Sequence, residues 1–212
     1  MKTIKAIQTR NSIPFLEEPA PNQEEMKEVY KAALRAPDHA WLRPWKYIEV
    51  TGDGRQKLAE AFVNAANLSD EEISDEYKEK LLKAPFRAPM IIVLVADIKE
   101  HAKVPKVEQM LSLGASAQNI LLSITSLGYG AVWRTGKMAF NPKIVASLGL
   151  PITNEIIGYL YIGTPSRKEK AIPDLNIEDY LTKPVNPSQI LIACKKVFEN
   201  KSIQSNKALK DF

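Results

Sequence analysis

The run "MIIVLVA", residues 90–96, contains no polar residue. Side chains of a strand alternate between two faces, so an unbroken apolar run requires both faces to be covered. A chain with such a strand must build layers, a sheet with helices on each side. A second stretch adds to the constraint. Residues 106–127 follow a helical pattern that is apolar nearly all round, and Gly114, Ala115 and Ala117 let a neighbouring backbone approach closely. Such a helix belongs in a core, or in a core plus a subunit interface.

The remaining pattern supplies the layers. Residues 2–9 read as a short helix ending near Arg10. Residues 22–36 read as a helix capped by Asn22, with Glu24 and Glu25 in its first turn and Pro37 as its stop. Met26, Val29, Tyr30, Ala33 and Leu34 fall on its apolar face. "KYIEV" from Lys46 alternates as a strand, and "GDG" at 52–54 turns the chain into helical residues 55–83, broken near 68–74. "YGAVWR" (129–134) and "EIIGYLYIG" (155–163) read as strands on either side of a short helix at 142–148 that Gly149 ends. Helices and strands intermix throughout. After Pro184 one amphipathic helix is expected, with Ile190, Leu191, Ala193, Cys194, Val197 and Phe198 on its apolar side. The domain division expected is therefore 1–183 and 184–212.

Composition excludes several classes. A single cysteine, Cys194, rules out an internal disulfide and a cysteine metal cluster. The two histidines, His39 and His101, lie too far apart for a metal-binding helix pair. The formal charge is +4, and five lysines against two acids put most of it on residues 185–212. The nearly neutral body lacks the basic face a nucleic-acid binder needs. No run approaches 18 apolar residues and the start, "MKTIKAIQTRNS", is polar, so a cytoplasmic protein without a membrane partner is expected. No phosphate-loop lysine motif and no dinucleotide fingerprint occurs.

Three clusters could carry chemistry. "TRNS" (9–12) places Arg10, Asn11 and Ser12 at a helix end, a donor set suited to a phosphate and also to an ordinary polar turn. "RAPDHAWLRPW" (35–45) gathers Arg35, Asp38, His39, Trp41, Arg43 and Trp45 in a loop. It reads equally as a capped loop with packed tryptophans. "WRTG" (133–136) ends a strand in Trp133, Arg134, Thr135 and Gly136, which is also an ordinary strand exit.

Taken together and in order, these clusters resemble the nitroreductase family, in its YdjA-type short-chain branch. The shared hallmarks are "EPAP" (18–21), "RAPDH" (35–39), "PW" (44–45), "APFRAP" (84–89), "KVP" (103–105), "GAVWRTG" (130–136) and "GTP" (163–165), over roughly residues 1–183. The resemblance implies an α+β nitroreductase-like fold: a central mixed, mostly antiparallel sheet flanked by helices, with a long buried helix at a homodimer interface. It implies FMN as cofactor and NAD(P)H as electron donor. Arg10, Asn11 and Ser12 would hold the phosphate and ribityl side, while Arg35, His39, Trp133, Arg134 and Thr135 would contact the flavin. Ser123 and Gly128 would lie near the nicotinamide nucleotide. No side chain is expected to be catalytic, because the cofactor carries the chemistry.

Two departures stand out. Many family members have a lysine facing the flavin two residues after Ser12, where this chain has Pro14. The compensating charge is expected from Arg35. The branch commonly has a lysine after the histidine, where this chain has Ala40. The function expected is reduction of nitroaromatics, quinones or similar acceptors by ping-pong hydride transfer. The alternative is an FMN-binding or flavin-sensing protein with little turnover.

Overall fold

The computed structural model describes residues 3–69, 73–168 and 171–181. The chain divides into two units, 1–170 and 171–212. Of the second, the described part contains one 3-10 turn, Ile177–Asp179. The amphipathic helix expected after Pro184, and the boundary at 183/184, lie outside the described residues.

The first unit runs α1 (Thr3–Thr9), β1 (Leu16–Glu17), α2 (Gln23–Ala33), β2 (Trp45–Thr51), α3 (Gly54–Asn67), α4 (Asp75–Lys83), β3 (Met90–Asp97), α5 (Lys106–Ser126), β4 (Gly130–Arg134), α6 (Lys137–Phe140), α7 (Pro142–Ser147) and β5 (Asn154–Pro165). The expected elements are present. β1 and α6 were too short to leave a periodic signal. The sheet runs β2-β3-β5, and the far edge of β5 pairs first with β4 and then with β1. Every strand pair among the described residues is antiparallel.

β3 shows why its sequence is apolar throughout. Ile91, Val93 and Val95 face a layer built by Leu58 and Phe62 of α3, Leu81 of α4 and Ile144 of α7. Ile92 and Leu94 face Met26, Val29 and Ala33 of α2 and Ala117, Ile120 and Ile124 of α5. All five β3 side chains are fully buried. Each contributes about 1.5–3 kcal/mol of burial, so this strand anchors both layers. At the β3 terminus Asp97 takes hydrogen bonds from Lys99, Asn154 and Lys46. Burial alone would push its carboxyl up, but those donors outweigh it and hold the pKa at about 2.

Two expectations need correction. α2 stops at Ala33, three residues early, and Leu34 is exposed instead of joining the apolar face. The Arg35 and Ala36 amides reach back only three residues, to Ala32 and Ala33, as a tight turn does. Pro37 disfavours the helical conformation at Ala36, so the chain leaves the helix before it. Second, α5 is not buried all round within one chain. Leu113, Ala117, Ile120 and Ile124 are buried, while Val107 and Leu111, one turn apart, face outward.

β4 is locked to β5 by an irregularity. The β3–β5 register shifts between Leu94 and Val95, leaving Ile157 as the extra residue on β5. Its freed carbonyl accepts the Trp133 indole N–H at 3.3 Å, and the ring lies over Gly158, which adopts φ +150°. A Cβ on Gly158 would overlap the indole nitrogen and sit 2.7 Å from Cδ1. Gly158→Ala is therefore expected to displace Trp133 and destabilise the protein by about 2–4 kcal/mol. A urea melt showing a loss below about 1 kcal/mol would refute this account of the bulge.

Candidate active site

β4 delivers its last residues to the two faces of the sheet in turn. Trp133 packs on the α2/α5 face, against Leu160 and Ile162. Arg134 emerges on the other face and, with Thr135 and Gly136, lines a pocket of about 520 Å³ under α4. Trp133 and Arg134 are adjacent in sequence, and strand alternation puts their side chains on opposite faces of the sheet. Trp133 is thereby a buttress of β4.

The pocket holding Arg134 is strongly electropositive. Lys80, Arg87, Arg134 and Lys137 line it, and no carboxylate does. Its floor is aromatic: the Arg134 guanidinium lies 5.6 Å from the Tyr161 ring centroid, and Lys137 Nζ 5.9 Å from that of Tyr77. Arg134 Nε is buried without a hydrogen-bond partner, which is costly unless a ligand atom meets it. Burial pushes the Tyr161 phenol pKa up against the lowering influence of Arg134 and Arg87. Tyr159 is raised further by burial and donates to Met138 O at 3.2 Å. Both phenols stay neutral across the physiological range.

The N-terminal cluster lies at the β4 edge. Arg10 closes α1, its amide donating to Ala6 O at 3.0 Å, and the Ile13 amide then donates to Ala131 O at 3.0 Å. Asn11 Oδ1 accepts the Ser12 amide at 2.9 Å. Asn11 and Ser12 line a small pocket of about 100 Å³ with Phe15, Arg167 and Lys168. The Arg167 guanidinium stacks 3.9 Å above the Phe15 ring, and Ser166 donates to Phe15 O at 3.1 Å. Hydroxyl, amide and two added cations give this concavity donors of a kind that suits an anion.

The second cluster lies elsewhere. α5 builds it: Ser116 Oγ donates to Ala33 O at 2.9 Å, and Asn119 Nδ2 to Ala32 O at 3.1 Å. These bonds satisfy the last carbonyls of α2 and fix the turn carrying Arg35. Tyr47 OH bonds Ser116 Oγ from the sheet side. Farther along α5, Glu108 Oε2 accepts from His39 Nδ1 at 2.6 Å. Arg35 lines a concavity of about 500 Å³ with Asp38, Trp41, Arg43 and Trp45.

One chain does not bring its clusters together. Ala36 and Trp45 pack with Leu113 on the α5 face, at the Ala96 end of β3. Arg134 is on the opposite face, and Ile13 meets β4 at Ala131, in the row of Ile162 and Met90. Six residues along β3 and three strand spacings separate Arg35 from the Ser12 arm, roughly 20–25 Å. Ser123 and Gly128 mark the C-terminal end of α5, where Gly128 takes φ +91°, and they line none of these three concavities.

The sequence reading missed Arg87, Arg167, Lys168, Lys80 and Lys137. The first lay in "APFRAP" and the next two directly after "GTP", so a signal existed. Nothing set Lys80 apart from Lys78 and Lys83 until α4 was placed against the sheet.

The sequence profile of the Nitroreductase family matches residues 7–164. The chain belongs to the nitroreductase family. Two curated relatives carry the name "Putative NAD(P)H nitroreductase". YdjA of Escherichia coli (strain K12) is 33% identical over 179 residues, 84% of this chain and 96% of that protein. The Haemophilus influenzae relative is 34% identical over 187 residues, 86% and 99%. A solved nitroreductase-like protein from Bacillus cereus superposes with a TM-score of 0.75 at 23% identity, covering 88% of this chain and 97% of that one. The FMN and NADPH-dependent nitroreductase NfnB superposes at 0.68 with 15% identity, covering 88% and 100%. At those identities the structures establish the nitroreductase fold, and the sequence relatives establish an oxidoreductase family.

Ser116→Ala in this nitroreductase is expected to cost about 1–3 kcal/mol, because it strands the Tyr47 hydroxyl and removes one of the two donors to the Ala33 carbonyl. Thermal unfolding measures it, and a change within error would show that α5 does not secure the Arg35 turn.

Proposed function

We propose that this nitroreductase is an FMN-dependent NAD(P)H oxidoreductase that works as a homodimer and reduces nitroaromatics, quinones or similar acceptors. The carrying observation is the acid-free, four-cation pocket around Arg134, with its unpartnered buried Nε, together with a second, smaller concavity at Ser12 lined by Arg167 and Lys168. FMN has those two parts, a flat electron-accepting ring and a phosphate. The residues present therefore fit it. Among the described residues no cluster of side chains suits a metal ion, and no helix is long and apolar enough to cross a membrane.

When bound, FMN would supply the redox chemistry, accepting a hydride from NAD(P)H and passing two electrons to an acceptor that takes the same slot. This chain's residues bind and tune. Arg10 and Ser12, with Arg167 and Lys168, would hold the phosphate through charge-assisted hydrogen bonds. Arg134, Arg87 and Lys80 would face the ring and stabilise the negative charge that reduction places on it. They take over the role assigned to Arg35 as compensation for Pro14. Tyr161, kept neutral by burial, adds no competing anion.

Arg35 and His39 would act on the pocket of a second copy. Val107 and Leu111 of α5 and Ile4 and Ile7 of α1, an adjoining helix, leave apolar side chains exposed. Pairing two copies through them would bury this face and carry the His39 loop, tied to α5 by Glu108, toward the partner. The dependence of NfnB on FMN and NADPH supports the cofactor reading. A flavin-binding protein with little turnover is the second reading, favoured by Ala40 and Pro14, which stand where lysines are expected from the family resemblance. Steady-state NAD(P)H oxidation with menadione separates the two.

The purified protein should be yellow and release FMN, not FAD, on acid treatment. Arg10→Ala should weaken FMN binding by about 1.5–3 kcal/mol. Flavin titration measures this, and an unchanged dissociation constant would remove Arg10 from the phosphate site.

A further inference from the structure

We infer that Trp41 and Arg43 form a platform selecting aromatic acceptors that bear an anionic substituent. The inference rests on the shared-site reading above, in which the 35–45 loop of one copy covers the pocket of the other. Its evidence is local. Trp41 is 78% exposed, although the loop also contains Trp45, which is buried and anchors it. The backbone reaches this state against its own preference. Ala40, Trp41 and Arg43 take φ of +58°, +56° and +48°, the left-handed region that side chains with a Cβ avoid. Three such residues in four positions persist only where surrounding bonds impose them, and such strain gathers at ligand sites.

The imposing bonds are present. Asp38 Oδ2 accepts the Arg43 amide at 2.8 Å, closing the loop on itself. His39 bonds Glu108 of α5. The Arg43 guanidinium lies 5.8 Å from the Trp41 ring centroid, which steadies the indole from one side. The exposed part of the indole remains open for stacking. Beside it, Arg35 and Arg43 line the same concavity of about 500 Å³ with one carboxylate, that of Asp38, which is engaged by the Arg43 amide, so the guanidiniums outnumber the acid. An indole plane with two neighbouring guanidiniums recognises a flat ring carrying a carboxylate: the ring stacks and the anion meets the cations. The acceptor class is therefore a carboxylated nitroaromatic or quinone, preferred over its neutral counterpart.

The test uses the FMN-loaded protein and its Trp41→Ala, Trp41→Phe and Arg43→Gln variants. In stopped flow, the enzyme reduced by NADPH is mixed with 4-nitrobenzoate, nitrobenzene or ferricyanide, and reoxidation is followed. Trp41→Ala should lower the rate ratio of 4-nitrobenzoate to ferricyanide by about tenfold, with Trp41→Phe restoring most of it. Arg43→Gln should lower the ratio of 4-nitrobenzoate to nitrobenzene by about fivefold. Independently of turnover, 4-nitrobenzoate should quench the intrinsic fluorescence of the oxidised protein, and that quench should fall sharply in Trp41→Phe, leaving the part that arises at Trp45. Unchanged ratios together with an unchanged quench overturn the platform and leave the flavin reading standing. A protein that takes up no FMN overturns both.

Discussion

The burial of β3 on both faces governs the rest of the molecule. Ile91, Val93 and Val95 need one helical layer, and Ile92 and Leu94 need another. A sheet closed on both sides is a partition, and polar groups must emerge at its edges and ends. Arg134 emerges toward α4, at the end of β4. Arg35 emerges on the α5 side, at the far end of β3. No rotamer change brings them together, because the core lies between them. A site that uses both groups has to be completed by a second copy, and the exposed apolar residues of α1 and α5 offer the surface for it.

α5 links these facts. Its buried side packs on the sheet, and its polar side chains hold the ends of other elements. Ser116 and Asn119 satisfy the final carbonyls of α2, and Glu108 holds His39. The exposed Val107 flanks Glu108 on the same helix. The helix that would carry dimer contacts therefore also positions the loop that would cross to the partner. Loss of the dimer would remove half of the site as well as its cover.

Much of the fold was legible because its signals are local and periodic. The apolar run of β3, the Asn22 cap and the Gly149 stop each follow from short-range chemistry. The early end of α2 was not, because the restriction that Pro37 places on Ala36 leaves open how many residues before it the last turn closes. The site was legible as three clusters, but not as to which faces they occupy. The opposite faces of the Trp133 and Arg134 side chains follow from strand alternation once β4 is placed in the sheet. Lys80 became visible only when tertiary packing aimed it into the pocket. Arg35 was the substitute expected for the missing lysine at Pro14, and the further cations around Arg134 became visible only with the pocket.

The shared site is tested most directly by mixing two damaged chains. Arg10→Ala impairs the phosphate arm, and Arg35→Ala impairs the loop expected to cross the interface. Unfolded together in equal amounts and refolded, they form heterodimers as about half of all dimers. If each site draws Arg10 from one copy and Arg35 from the other, every heterodimer has one site with both residues intact and one with neither. FMN titration should then recover high-affinity binding at about one quarter of all sites, from a mixture whose parents show none. If both residues serve the same site from a single chain, no heterodimer site is intact. A mixture that binds no better than its parents, with heterodimers verified by mass spectrometry, would contradict the account.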